Sequence, residues 1–157
     1  MPTMGGWYDG AAYSKYVAST TVTIARLLDL YQRYPQRFSD GQLGIPESGN
    51  NISDLLDEMK FGLDWLLKMQ RTDGAVYRKV AGEQWAIAIA PDTDLQPRYI
   101  YGISTPETAK FAAVMAIASR IISIAKLSPK LNQAIEFVCQ KPILMPSATT
   151  LLGFIQN

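Results

Sequence analysis

Histidine is absent from this 157-residue chain, and cysteine occurs once, at Cys139. The first absence removes the commonest general base near neutral pH and the commonest zinc ligand. It also removes every Ser-His and Cys-His nucleophile pair. A single cysteine excludes an internal disulfide and a thiolate metal cluster. Cys139 sits in an apolar stretch and reads as a small buried hydrophobe. An excess of either charge is lacking too, since 15 Lys and Arg stand against 14 Asp and Glu, for a formal charge of +1. That balance gives no electrostatic footprint for nucleic acid. No apolar run reaches the ~20 residues that span a bilayer. The most apolar stretch, 111–125, carries Arg120 and reads as a buried helix, so no membrane partner is expected. The N-terminus, Met1 to Trp7, has neither a basic start nor an apolar run of signal-peptide length, and no export signal is visible in the chain as written. Carboxylates, lysines and tyrosines are left to carry any chemistry.

What is present is a helical period. With 48% hydrophobic and 18% charged residues, the chain reads as one domain or part of one. Val17, Ile24, Leu27, Leu28 and Tyr31 share one side of a helix expected over Tyr13–Tyr34, stopped by Pro35. A polar, Gly-rich loop follows over 39–51. A second helix is expected over Ile52–Met69, capped by Asn51, with the stripe Leu55, Leu56, Met59, Leu63, Leu66 and Leu67. Asp73-Gly74 marks a turn. Ala75–Val80 and Trp85–Ala90 are expected to form a short hairpin or an extended loop, and Pro91–Tyr101 reads as irregular. Ser104-Thr105-Pro106-Glu107 has the capping-box pattern and opens a third helix running to about Lys126. Its residues are apolar almost all round, which predicts enclosure on several sides, and Ala112, Ala113, Ala116 and Ala118 would admit a close neighbour. A fourth helix is expected from Ser128 to Gln140, followed by an apolar tail from Ile143. The fold class is therefore all-α, about four helices with long loops and a short β-hairpin.

One block carries a resemblance. Gly5-Gly-Trp-Tyr-Asp-Gly-Ala-Ala-Tyr-Ser-Lys-Tyr-Val17 resembles the catalytic aspartate motif of glycoside hydrolase family 9, whose pattern is Gly-Gly-Trp-Tyr-Asp-Ala-Gly-Asp-Tyr-Gly-Lys-Tyr-Val. Further blocks follow in the family's order. They are Ile45-Pro-Glu-Ser-Gly-Asn50, Asp54-Leu-Leu-Asp-Glu58, Leu63-Asp-Trp-Leu-Leu-Lys-Met-Gln70, Asp73-Gly-Ala-Val-Tyr77 and Ser104-Thr-Pro-Glu-Thr-Ala109, the last leading into Phe111-Ala-Ala-Val-Met-Ala116. The resemblance implies inverting hydrolysis of β-1,4-glucosidic bonds in cellulose-type substrates, with no cofactor and no metal in the reaction. It implies an (α/α)6 barrel, of which residues 1–127 would be an N-terminal part. Residues 128–157 match poorly. A closed barrel needs well over twice this length, so the chain is expected to be a fragment. Family members are usually secreted or periplasmic, and the compartment stays unassigned here.

Inverting hydrolysis needs two carboxyl groups roughly 6.5–9.5 Å apart, an acid for the leaving oxygen and a base for the attacking water. In the family motif the second aspartate is the base and the first helps hold the water. Asp9 matches the first, but Ala12 stands at the position of the base, and a methyl group accepts no proton. The glycine has moved as well, to Gly10. The family's acid is a glutamate near the end of its domain. Glu136, the last acidic residue here, lies on an expected helix surface. Catalytic incompetence of this chain is the expectation.

Trp7, Tyr8, Tyr13, Tyr16 and the loop residue Trp85 are candidates to stack on sugar rings, against the alternative that they pack between helices. The expected partner is a β-glucan oligosaccharide or polysaccharide. Self-association through exposed apolar helix faces is a second expectation. Asp54, Asp57 and Glu58 read either as a metal or acid cluster or as a solvated helix start. Asp92 and Asp94 offer fewer oxygens than the 6–8 that calcium takes. Arg98 contacts substrate or pairs with an aspartate.

Overall fold

The structure, a computed structural model, describes residues 4–86 and 89–124. The helix expected at Ser128–Gln140, the tail from Ile143, Glu136 and Cys139 lie outside them, as does the proposed boundary at Leu127. Within them the chain forms three helices and a small sheet: β1 (Lys15–Tyr16), α1 (Val17–Arg33), α2 (Asp54–Lys68), β2 (Tyr77–Ala81), β3 (Tyr99–Ile103) and α3 (Thr105–Ile124). The expected helical architecture holds, with a small three-stranded sheet where a short hairpin was expected, and the described residues do not close a barrel.

Helix α1 begins four residues later than its apolar spacing suggested. Tyr13 is left-handed, at φ 46°, and Lys15 and Tyr16 pair with Val80 and Lys79 of β2. Their backbone is committed to the ladder, so the helix starts only at Val17. Val17, Thr20, Thr21, Ile24 and Leu28 are buried on its inner face. At the far end, Tyr34 N–H bonds to the Leu30 carbonyl, and Pro35 opens a short 3-10 turn in place of another helical turn.

Helix α2 starts at Asp54, with Ser53 rather than Asn51 at the cap position. Asn51 instead takes a left-handed conformation, φ 67°, a region that asparagine tolerates better than most residues. The stripe Leu56, Met59, Leu63 and Leu66 is buried, as is Trp65.

The expected hairpin is corrected. Strand β2 pairs antiparallel with β3, in the register Tyr77↔Ile103, Lys79↔Tyr101, Val80↔Ile100 and Ala81↔Tyr99. Trp85, Ala86, Ile89 and Ala90 are not in a strand. Pro91 and Pro97 hid the second strand, but the aromatic and β-branched run that follows Arg98 suits a pleated, half-buried surface. With β1 on the other side, the order is β1-β2-β3.

Ser104 and Glu107 do meet, through the serine hydroxyl and the carboxylate. The Ser104 N–H goes to the Val76 carbonyl rather than to Glu107, so the start of α3 is tied to the sheet. Helix α3 buries Phe111, Val114, Met115, Ala118, Ile121 and Ile122, while Ala113 and Ala116 face solvent. Among the described residues, the packing of α3 is confined to one face, against α1, α2 and β2. One core joins the three helices with Val76 and Val80 of the strand segment.

Candidate functional site

The motif of residues 5–17 is a loop folded back over α2 and into β1. Gly6 lies so close to Trp65 that a Cβ would come within 2.6 Å of its Cγ, and its φ of +68° is one that side chains rarely adopt. Lys15 is buried, donates from Nζ to the Gly5 carbonyl at 2.7 Å, and sits 4.7 Å from the centroid of the Tyr8 ring. Burial, reinforced by the nearby positive charges of Lys68 and Arg98, pulls its ammonium below the usual lysine range.

Trp7 is half-buried. Its indole N–H donates to Glu58 Oε1 at 2.6 Å, and its ring lies over Gly62 of α2, where a Cβ would be 2.6 Å from Cη2. Phe61 is tilted against it at 6.4 Å. The loop is therefore bolted to α2 one residue before Tyr8 and two before Asp9.

Asp9 opens a tight turn. Its N–H bonds to the Ser14 carbonyl at 2.8 Å, and residues 10–12 form a 3-10 turn inside that closure. The displaced glycine keeps the turn possible, since Gly10 takes the left-handed φ of +64°. The Asp9 side chain is exposed, and its Oδ2 accepts the Ser19 hydroxyl at 2.6 Å. Ser19 lies in the first turn of α1. It was not legible as a site residue, because the helix seemed to begin earlier. Tyr13 donates its hydroxyl to the Ile89 carbonyl at 2.6 Å, and Tyr8 meets its ring edge-on at 6.3 Å.

Ala12 lines a pocket of about 50 Å³, with Ser14, Tyr16, Lys79, Ala81, Gly82, Glu83, Gln84, Trp85 and Tyr101. Lys79 Nζ stands 4.3 Å from the Tyr101 centroid and 5.5 Å from that of Tyr16. Tyr101 donates to the Gly82 carbonyl at 2.8 Å. Trp85 is 74% exposed at the rim. The structure thus brings Ala12, Tyr16 and Trp85 to one pocket and sets Asp9, Tyr8 and Tyr13 on the adjoining turn. Lys79, Glu83 and Tyr101 were missed. Their signal lay in the β2–β3 pairing, which the two prolines concealed.

The loop bearing Trp85 is held from inside. The Asp94 side chain is buried and pairs with Arg98, and its Oδ1 accepts the backbone and side-chain N–H groups of Gln96 at 3.2 Å each. The Arg98 hydrogen bond holds the Asp94 carboxyl below the usual carboxylate range against the opposing effect of burial. Arg98 therefore pairs with an aspartate, and Asp94 is already committed. Among the described residues no group of three or more Asp, Glu or Cys side chains is placed to hold a metal ion.

Asp54 and Asp57 are corrected from a solvated helix start to buried carboxyls. Asp54 accepts the Gly41 and Leu43 N–H groups at 3.0 and 2.7 Å and the Ser48 hydroxyl at 3.0 Å. Burial opposes its ionisation, but these hydrogen bonds outweigh it and hold the carboxyl below its ordinary range. Asp57 accepts the Asn50 amide at 2.9 Å. Burial pushes it up, with help from the charges of Glu47, Asp54 and Asp40. Together these residues staple the 39–53 loop to α2.

Comparison with known proteins places the chain. The sequence model of glycosyl hydrolase family 9 matches residues 2–135. The chain is 40% identical over 119 residues to the xyloglucan-specific endo-beta-1,4-glucanase BoGH9A of Bacteroides ovatus, covering 75% of this chain and 20% of that one. It is 35% identical over 118 residues to endoglucanase D of Acetivibrio thermocellus, covering 74% and 19%. It thus spans about a fifth of the length of these relatives. A crystal structure of a metagenome-derived glycoside hydrolase family 9 endoglucanase superposes with a TM-score of 0.77 at 48% identity, over 92% of this chain and 28% of that one. The Bacteroides ovatus GH9 structure superposes at 0.80 and 37% identity, over 87% and 25%. With a family match over most of its length and an aspartate-bearing turn in the family's sequence context, this chain belongs to glycosyl hydrolase family 9.

Proposed function

We propose that these residues supply the water-side wall of a β-1,4-glucan cleft, and that this chain holds glucan without cleaving it. The observation that carries the reading is Ala12. It lines the pocket beside the motif turn, at the position where the family pattern has the carboxylate base. Asp9 is exposed and oriented by Ser19, which suits it to fix a water molecule. Fixing a water without a base to take its proton forgoes the ~10²–10⁴-fold that general base help supplies. Asp9 does not replace the base, because its side chain lies at the opposite end of the turn from Ala12 and is engaged with α1.

The sugar-facing rings in this reading are Tyr8, Tyr13 and Trp85, with Trp7 anchoring the turn to α2. Tyr8 and Trp85 are well exposed, and aromatic faces complement the apolar faces of pyranose rings. The names of the relatives support a β-1,4-linked glucan as the polymer.

Two measurements test the proposal. Incubation with soluble cellulose is expected to release no reducing sugar above buffer, and clear turnover refutes the assignment of Ala12 to the missing base. Titration with cellotetraose, followed by tryptophan fluorescence, is expected to saturate in the millimolar range and to weaken in Trp85→Ala. An unchanged signal at millimolar sugar refutes the binding half.

A further inference from the structure

We propose that the pocket beside Ala12 is a binding site for a carboxylate group, with Lys79 as its cation. Lys79 rises from β2 between two tyrosine rings, one from β1 and one from β3. Those rings take the place of part of its water shell, and a partly dehydrated ammonium gains more from an anion than one in bulk water does. Among the described residues it forms no ion pair. Glu83 also lines the pocket, but it is exposed and therefore solvated at the rim.

Size and shape narrow the ligand. The pocket volume of about 50 Å³ exceeds the ~10–15 Å³ that one water needs. It suits a carboxylate group and is too small for a whole sugar ring. Ala12 and Ala81 add small apolar residues to the lining. Lys79 is the cation of the lining, and its ammonium carries the N–H donors that carboxylate oxygens accept.

Such a group has two sources, a free short carboxylate or a uronate carried on a sugar. Sodium formate and sodium glucuronate distinguish them. Each is titrated into the full chain at constant ionic strength set with sodium chloride, and the backbone amide signals of Ala12 and Gly82 are followed by NMR. Formate is expected to give saturable shifts that chloride does not, with Kd on the order of millimolar. Matching shifts with glucuronate assign the site to sugar-borne carboxylates, and formate alone assigns it to free ones. Lys79→Met is expected to weaken formate binding by about tenfold or more, while Lys79→Arg keeps the charge and stays within about threefold of the parent. Ala12→Asp, whose own carboxylate fills the pocket, is expected to lose formate binding to a similar degree without removing the lysine. The proposal is overturned by shifts no larger than those of chloride, or by Lys79→Met or Ala12→Asp binding formate as the parent does. It is independent of the glucan reading, since a failed cellotetraose titration leaves formate binding standing.

Discussion

Gly62→Ala is expected to destabilise the fold, although alanine is the better helix former by ~0.8–1.0 kcal/mol. Gly62 is buried in the middle of α2, where the Trp7 ring crosses it. A Cβ there would lie 2.6 Å from Trp7 Cη2, 2.7 Å from Cζ3 and 3.0 Å from Ile24 Cδ1. Comfortable carbon contacts are about 3.5–4.0 Å, so the indole must retreat by roughly an ångström. It cannot do so freely, because its N–H is bonded to Glu58 on the same helix. Overpacking of this kind costs about 1–3 kcal/mol, and loosening the hydrogen bond adds about 1 kcal/mol. After the propensity gain, the net loss is about 1–3 kcal/mol. Urea unfolding, with a slope of ~1–3 kcal/mol per molar, would register that as a midpoint lower by about 1 M. The double variant Trp7→Leu, Gly62→Ala is the control. With the ring gone, only the 3.0 Å approach to Ile24 Cδ1 remains, and the alanine cost measured in that background should shrink or change sign. A single variant as stable as the parent, or a cost unchanged in the Trp7→Leu background, refutes the packing argument.

Three further outcomes are expected. Asp54→Ala removes the acceptor shared by Gly41, Leu43 and Ser48 and should lower Tm by roughly 5 °C or more, with the loss of order concentrated in residues 39–53 by hydrogen exchange. Asp54 and Asp57 act oppositely on acid stability. The Asp54 pKa lies below its unfolded value, so its contribution is present above the unfolded pKa and is lost as pH falls through the folded one. The Asp57 pKa lies above, so the native state binds more protons there and stability declines as pH rises from the unfolded pKa through the folded one. Asp57→Asn should therefore flatten that decline and leave the acid loss intact, as read from urea midpoints between about pH 3 and 7. Sedimentation velocity should show concentration-dependent association, because Val22, Leu30 and Phe61 are exposed on α1 and α2 and the alanine face of α3 is uncovered among the described residues. A monomer throughout would refute that expectation.

The linear sequence determined what depends on local chemistry and period. The three helices are legible because their buried positions recur at helical spacing, as with Leu56, Met59, Leu63 and Leu66. Family membership is legible because the motif blocks are contiguous, and the substitution at Ala12 is visible in one of them. Tertiary structure alone decided the rest. That Lys15 and Tyr16 leave the helix for a strand follows from their pairing with residues more than sixty positions away. The partner of β2 lies beyond an irregular loop with two prolines, and the Asp94–Arg98 pair inside that loop helps return Tyr99–Ile103 to it. Asp54 and Asp57 have the helix-start pattern of solvated acids, and burial was set by the loop that wraps over them. The pocket follows the same rule. Ala12, Lys79 and Tyr101 belong to three separate segments of the chain, and they line one pocket because antiparallel pairing joins β1, β2 and β3 beside the motif turn.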